Sequence, residues 1–239
     1  RTTAPVVLAN PEFDDAPRSA SAAGARSILG THFESLPGTA AEADGIRQLL
    51  PDATLLARER ATETALKNVT SPRILHIATH GFFLEDQDLA SSAADTGAED
   101  PMLRSGLVFA GANAGRSGTD DGVMTALEAA ALGLSGTQLV VLSACETGLG
   151  DIRTGEGVFG LRRAFMAAGA ETLVMSLWRV DDDATRQLMV EFYRRLERGE
   201  GRAEALRQAA LTLMRDPAHA HPSYWASFIS TGNAARLRP

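Results

Sequence analysis

A single cysteine, Cys145, stands in the whole chain, which excludes an internal disulfide and leaves no thiolate cluster for a metal. A reducing cytoplasm is the natural compartment for such a chain. Hydrophobic runs stop at strand length, well short of the ~20 apolar residues a membrane-spanning helix needs. Basic residues are in the minority: 23 Lys and Arg face 30 Asp and Glu, a formal net charge of −7. That balance argues against a nucleic-acid partner, because phosphate binding leans on a basic surface. It suits a basic peptide better. The chain opens Arg1-Thr2-Thr3-Ala4-Pro5, without an initiator Met, a signal peptide or a lipidation motif. We therefore expect a domain excised from a longer chain. Internal repeats are lacking as well.

What is present is a single domain's worth of core, 239 residues of which 44% are hydrophobic. Short apolar runs read as strands at Val6–Asn10 (stopped by Pro11), Ala53–Ala57, Arg73–Thr79, Ser105–Ala112, Gln138–Ala144 and Glu171–Leu177, with a last edge strand over Trp225–Ser230. Helical spacing marks Ala40–Leu50, Ala61–Asn68, Thr125–Leu132, Gly157–Ala168, Asp182–Arg198 and Arg202–Arg215. Thr125 and Glu128 stand at capping-box spacing, and Gly169 closes the helix before it. Residues 11–38 read as a loop with little local structure, 85–104 as a mobile excursion and 113–122 as a second flexible loop. Strands alternating with helices predict an α/β fold, an open and mostly parallel sheet with helices on both faces. Ligands in such sheets sit beyond the carboxyl ends of the strands.

Two of those ends carry reactive side chains. Cys145 directly follows the buried run Gln138–Ala144 and enters the turn-forming stretch Glu146-Thr147-Gly148-Leu149-Gly150. A free cysteine is usually a small buried hydrophobe; this placement points it to the crevice instead. His80 leaves the run Arg73–Thr79 in the same way, and Gly81 after it permits a close backbone approach to a substrate. A thiol and an imidazole on neighbouring strand ends are the minimal parts of a thiol peptidase. His76 precedes His80 by four positions, about 13 Å on a strand and too far for a shared ion, so it reads as a core or sheet-face residue. His219 and His221 read as structural. The string Gly155-Glu156-Gly157-Val158-Phe159-Gly160 matches a dinucleotide fingerprint literally, but it does not follow a strand closely enough to cradle a pyrophosphate. Leu142-Ser143-Ala144 lacks the glycines of a serine nucleophile elbow.

The pieces ILHIATHGFF (74–83), LRSGLVFAGAN (103–113), DGVMTALEAAALGLSGTQLVVLSACETGLG (121–150), GEGVFGLRRAFMAAGAETLVMSLWRVDDDAT (155–185) and HPSYWASFI (221–229) closely resemble the CHAT domain. That is a caspase-like peptidase module often joined to tetratricopeptide repeats, mainly in bacteria. The resemblance implies the caspase–hemoglobinase fold over one domain, residues 1–239, and a His80–Cys145 dyad, with the N–H groups of Gly81 and Cys145 as oxyanion donors. It implies no metal and no organic cofactor. The partners it implies are a protein or peptide substrate and an upstream repeat or sensor region, or a regulatory partner acting through 85–104 and 113–122. A role in bacterial defence or regulated cell death rests on the resemblance alone. In arginine-specific relatives an acidic residue stands two positions before the cysteine; here that position is Ser143. Glu146 and Asp181 could supply the charge instead, with Trp178 as an apolar wall. A catalytically silent, peptide-binding regulatory domain is the alternative.

Overall fold

The structure, a computed structural model, describes residues 2–14, 31–84, 101–146, 156–178 and 181–239. Its strands in chain order are β1 (Val6–Pro11), β2 (Thr54–Arg58), β3 (Ile74–Ala78), β4 (His80–Phe83), β5 (Ser105–Val108), β6 (Val123–Thr125), β7 (Leu139–Leu142), β8 (Cys145–Glu146), β9 (Thr172–Ser176) and β10 (Phe228–Gly232). The helices are α1 (Pro37–Leu49), α2 (Glu63–Lys67), α3 (Ala126–Ala129), α4 (Glu156–Ala167), α5 (Asp182–Glu197) and α6 (Arg202–Met214). Six strands form the main sheet in the order β10-β9-β7-β3-β1-β2. All neighbours are parallel except β10, which pairs antiparallel with β9 at the edge.

The apolar runs are continuous because both faces of this sheet are buried. Alternation along each strand sends Leu8, Leu75, Ile77, Val140, Leu142, Leu173 and Met175 to one side, where α3 and α4 cover them with Ala126, Ala129, Leu161 and Phe165. Val7, Ala9, Ile74, Ala78, Leu139, Val141 and Val174 face the other side, against Ile46 of α1, Leu188 and Phe192 of α5, and Leu206 and Leu213 of α6. Each Val, Leu, Ile, Met or Phe among them contributes about 1.5–3 kcal/mol by leaving water. The chain steps from β1 outward to β2, then returns to β3 on the other flank of β1 and continues through β7 to β9. Sheets of this kind bind ligands beyond the carboxyl ends of the strands at such a reversal, here between β1 and β3.

The local punctuation follows the residue chemistry. Thr125 and Glu128 form the reciprocal capping box of α3. Asp181 caps α5 by accepting from the N–H groups of Asp183 and Ala184. Gly169, just past α4, has φ 108°, and a Cβ there would lie 2.9 Å from the Ser135 backbone.

Several boundaries differ from the sequence expectation. β1 does not stop before Pro11: the strand continues through a register shift, with Asn10 at φ 49° beside it. Helix α1 starts at Pro37, earlier than Ala40, because proline is preorganised for the first turn. Helices α2 and α3 are shorter than read, and β10 lies later than Trp225–Ser230. A second sheet was not anticipated at all. It runs β6-β5-β4-β8, antiparallel except for the parallel pair β4–β8. Of the expected excursion at 85–104, residues 85–100 lie outside the described residues, while Pro101–Leu103 form a 3-10 turn.

The expectation of a flexible loop at 113–122 is corrected. Ser117 is buried, accepting from the Glu63 N–H at 2.8 Å, and its carbonyl accepts from the Thr64 hydroxyl. The Gly122 N–H donates to Glu63 Oε2 at 2.9 Å. Lys67 then bridges three carboxylates: Glu63 at 2.7 Å, Asp120 at 2.9 Å and Glu128 at 3.1 Å. Burial pushes the Glu63 carboxyl up, while hydrogen bonds from Thr64 and then Lys67 hold Asp120 low. Periodicity could not show this, since the cluster joins residues more than fifty positions apart. Lys67→Met would leave the carboxylates facing one another, with Glu63 side chain only 1% exposed. We expect a loss of about 2 kcal/mol, below the 3–5 typical of a fully buried pair because Lys67 is partly solvated. A urea midpoint unchanged from wild type would contradict it.

Candidate active site

His80 opens β4 directly beyond β3, and Cys145 opens β8 directly beyond β7. Strands β3 and β7 are adjacent and parallel, pairing Ile77 with Leu142. The same stagger resumes three positions further along each chain segment, past Thr79 on one and Ser143-Ala144 on the other, pairing His80 with Cys145 and Gly81 with Glu146. Parallel neighbours stand about 4.8 Å apart. The fold therefore brings the two residues side by side in register, although 65 positions separate them in the chain.

The break between β7 and β8 is held from three sides. The Ser143 N–H donates to the Ile77 carbonyl at 2.9 Å. The Ser143 hydroxyl donates to Glu42 Oε2 at 3.1 Å, and the Ser176 hydroxyl donates to the Ala144 carbonyl at 2.8 Å. Glu42 reaches this point from α1 and is itself buried. Its other oxygen stands 3.2 Å from His76 Nε2, close but off the axis of a hydrogen bond. His76 is fully buried on β3 and pairs through Nδ1 with the Tyr193 hydroxyl at 3.1 Å. Burial, and then the Glu42 charge, push the Tyr193 phenol well above its ordinary value. His76 thus belongs to a polar core network and not to the crevice.

His80 is 8% exposed. Its ring packs against Phe13, at a centroid distance of 5.1 Å, and Phe33, at 5.7 Å, which also touch each other. Nε2 stands 2.8 Å from the Glu34 carbonyl oxygen. A carbonyl only accepts, so this bond places the ring proton of a neutral His80 on Nε2 and leaves Nδ1 as the basic nitrogen. Phe13, Phe33 and Glu34 all fall in the 11–38 stretch read as a loop with little local structure. Residues 12–14 and 31–36 carry no helix or strand, and 15–30 lie outside the described residues. What the reading missed is the contact these residues make with His80. The two phenylalanines in an otherwise Ala-, Ser- and Gly-rich stretch were the available signal, because an aromatic side chain in a loop needs something to cover it.

The remaining sequence candidates sit around the same strand ends. Gly81 is paired with Leu107 on one side and Glu146 on the other. Trp178 follows β9, one strand over from β7, is half-buried, and donates from its indole to the Ser223 carbonyl at 3.4 Å. Asp181 is exposed and commits one oxygen to the α5 cap. Ser143 is buried beneath the crevice on Glu42. The turn after Glu146 and the glycine at 155 lie outside the described residues, and Glu156 begins α4. His219 is held by Asp216 at 2.8 Å and by the Tyr224 ring edge, and His221 caps the turn Pro222–Tyr224. Among the described residues no helix is long and apolar enough to cross a membrane.

A mostly parallel α/β sheet, doubled at its carboxyl end by a small second sheet that sets a histidine beside a cysteine, defines a caspase-like, cysteine-peptidase type of domain. More narrowly, the chain belongs to the CHAT domain family, whose model matches residues 1–233. Human tetratricopeptide repeat protein 28 is 30% identical over 216 residues, covering 84% of this chain and 9% of that protein. The mouse protein of the same name is 35% identical over 115 residues, covering 48% of this chain and 5% of its own length. The chain thus spans less than a tenth of these relatives. A crystal structure of a Geobacter sulfurreducens protein aligns over 99% of this chain and 100% of its own, at 13% identity and a TM-score of 0.48.

Proposed function

We propose that this domain is a cysteine endopeptidase that cleaves specific protein substrates through Cys145 and His80. The observation that carries the proposal is the register pairing of His80 with Cys145, together with the Glu34 carbonyl that fixes the imidazole. In the acylation step Nδ1 of His80 takes the thiol proton, and the Cys145 sulfur bonds to the scissile carbonyl carbon. The carbonyl oxygen becomes an oxyanion, for which the Gly81 and Cys145 N–H groups are the assigned donors, each worth about 3 kcal/mol. Collapse breaks the C–N bond, and His80 gives its proton to the departing amine. Water then attacks the thioester, losing its proton to His80, and the acid product leaves as the thiol is restored. Nothing in this sequence of steps calls for a metal or an organic cofactor.

Substrate contacts are assigned to Glu146, Trp178 and Asp181, which follow the ends of β7 and β9. Ser143 acts from below, linked to the Glu42 charge. Because the curated relatives are tetratricopeptide repeat proteins many times longer than this chain, the domain is proposed to work under an upstream repeat or sensor region that controls access.

One observation favours a second reading, a gated or silent peptide-binding domain: His80 is nearly covered, with Phe33 and Phe13 packed against its ring. Incubating wild type, Cys145→Ala and His80→Ala with a diverse peptide library, read by mass spectrometry, separates the two. Endopeptidase action predicts discrete cuts by wild type alone. Peptide retention without cuts, even beside the native upstream region, would favour the silent domain.

A further inference from the structure

We infer that Asn113 is a positioning residue that sets the orientation and tautomer of His80. This deepens the peptidase reading and rests on it only for its kinetic test. Asn113 touches neither the imidazole nor Cys145 in any bond described above; it acts on the strap of chain that does.

The Asn113 side chain is buried, at 8% exposure, and all its described bonds go to the two segments flanking His80. Its Oδ1 accepts the Phe33 N–H at 2.9 Å and its Nδ2 donates to the Phe33 carbonyl at 2.9 Å. The amide thus reads one residue's backbone at both its donor and its acceptor, as a neighbouring strand would. Nδ2 also donates to Asp14 Oδ1 at 2.9 Å. A backbone N–H can only donate and a carboxylate can only accept, so the amide has one workable orientation. The Asn113 main chain completes the clasp, its N–H donating to the Phe13 carbonyl at 3.0 Å. Both phenylalanines pinned this way pack on the His80 ring, and the residue after Phe33 is Glu34, whose carbonyl holds Nε2.

The local backbone is built to present this side chain. Asn113 sits in a 3-10 turn between Gly111 at φ 84° and Gly115 at φ 64°. A Cβ on Gly111 would fall 1.6 Å from the Arg116 carbonyl oxygen, so only glycine closes this turn. The Gly111 N–H donates to the Glu12 carbonyl at 2.9 Å, which brings the turn against the end of β1. One asparagine therefore joins the carboxyl end of β1, the 31–36 strap and β5 around one imidazole. A core-packing role alone would be served by an apolar side chain; a bidentate amide aimed at a single peptide unit is a device for placing that unit.

Asn113→Asp keeps the acceptor for the Phe33 N–H but replaces the donor facing the Phe33 and Asp14 oxygens with a third oxygen. Asp14→Ala, at an exposed position, removes one of the two acceptors of Nδ2 and leaves the Phe33 pair in place, a weaker loosening of the same clasp. Both are measured with ¹⁵N-histidine-labelled protein, His80→Gln assigning the His80 signals, at a pH where the ring is neutral. Wild type is expected to show a single Nε2–H tautomer. In Asn113→Asp the two ring nitrogens should move toward averaged shifts, and in Asp14→Ala they should move the same way by less. Against a cleavable peptide, Asn113→Asp should lower kcat about tenfold with KM changed less than about twofold, since misplacement of a proton-transfer group spares binding. If both variants retain the wild-type tautomer, the inference falls. If wild type cleaves nothing, the peptidase reading fails, and the nitrogen shifts still decide the role of Asn113. Should Asn113→Asp not fold, Asp14→Ala carries the same readout.

Discussion

Cys145→Ala is expected to lower kcat/KM for peptide cleavage by about 10⁴-fold or more, equivalent to about 5.4 kcal/mol of transition-state stabilisation. Alanine cannot form the thioester, so no acyl-enzyme path remains. His80→Ala removes the proton carrier but leaves a thiol, and its loss should be of the same order. The double variant should be no worse than Cys145→Ala alone, because the pair acts as one unit. The main-sheet core should survive His80→Ala, since His80 belongs to neither of the two clusters that fill the faces of that sheet and its lost contacts are local, to Phe13, Phe33 and the Glu34 carbonyl. Initial rates over a range of peptide concentrations, with thermal midpoints as the control, check the prediction. Additive losses would mean the two side chains do not cooperate.

The largest effect on stability is expected at Glu171, far from this crevice. Arg202 opens α6 with its side chain fully buried. Its guanidinium donates to Thr172 Oγ1 at 2.8 Å, to Glu171 Oε2 at 3.3 Å and to Gln138 Oε1 at 3.4 Å. Burial pulls its pKa down, the signature of a charge that depends on its partner. Arg238 also pairs with Glu171, and its N–H donates to Gln138 Oε1 at 2.6 Å, so one carboxylate ties the chain's last residues to the sheet. Glu171→Ala leaves the buried guanidinium uncompensated and should cost about 3 kcal/mol. Replacing the pair together, Glu171→Leu with Arg202→Met, should cost less than Glu171→Ala alone.

The pH dependence of this pair has a definite sign. Arg238, then Arg202, holds the Glu171 carboxyl below its ordinary 4.5, although burial works against them. A lowered carboxylate contributes stability that is present above about pH 4.5 and is lost as pH falls through the folded-state value. Urea midpoints between pH 7 and pH 3 should therefore fall in wild type more steeply than in Glu171→Ala. Parallel curves would show that Glu171 does not carry the charge of Arg202.

The main sheet was legible because its strands are buried on both faces, and a run such as Leu139–Leu142 can satisfy neither a surface strand nor an amphipathic helix. His80 and Cys145 were legible as residues at strand ends. Their register was not, because it is fixed by the pairing of β3 with β7 across 65 positions. The second sheet was missed since β4 and β8 are short continuations of β3 and β7, with no turn residues to announce a new element. The clasp on His80 was the least visible part. Glu34 contributes a backbone carbonyl, which any residue could supply, and Asn113 sat inside a motif whose glycines explained the turn without explaining the amide. Loop 113–122 looked flexible by composition, and only its distant partners Glu63, Thr64 and Lys67 reveal that it is tied down.

The most direct test of a His80-activated thiol needs no substrate. The second-order rate of Cys145 alkylation by iodoacetamide, read by intact mass on the native chain and on folded His80→Ala, reports the thiol's reactivity. An imidazole that accepts the thiol proton predicts a rate at least about tenfold higher in the native chain than in His80→Ala. Equal rates in the two, or a native thiol less reactive than that of the urea-unfolded chain, would mean that Cys145 is an inert buried side chain.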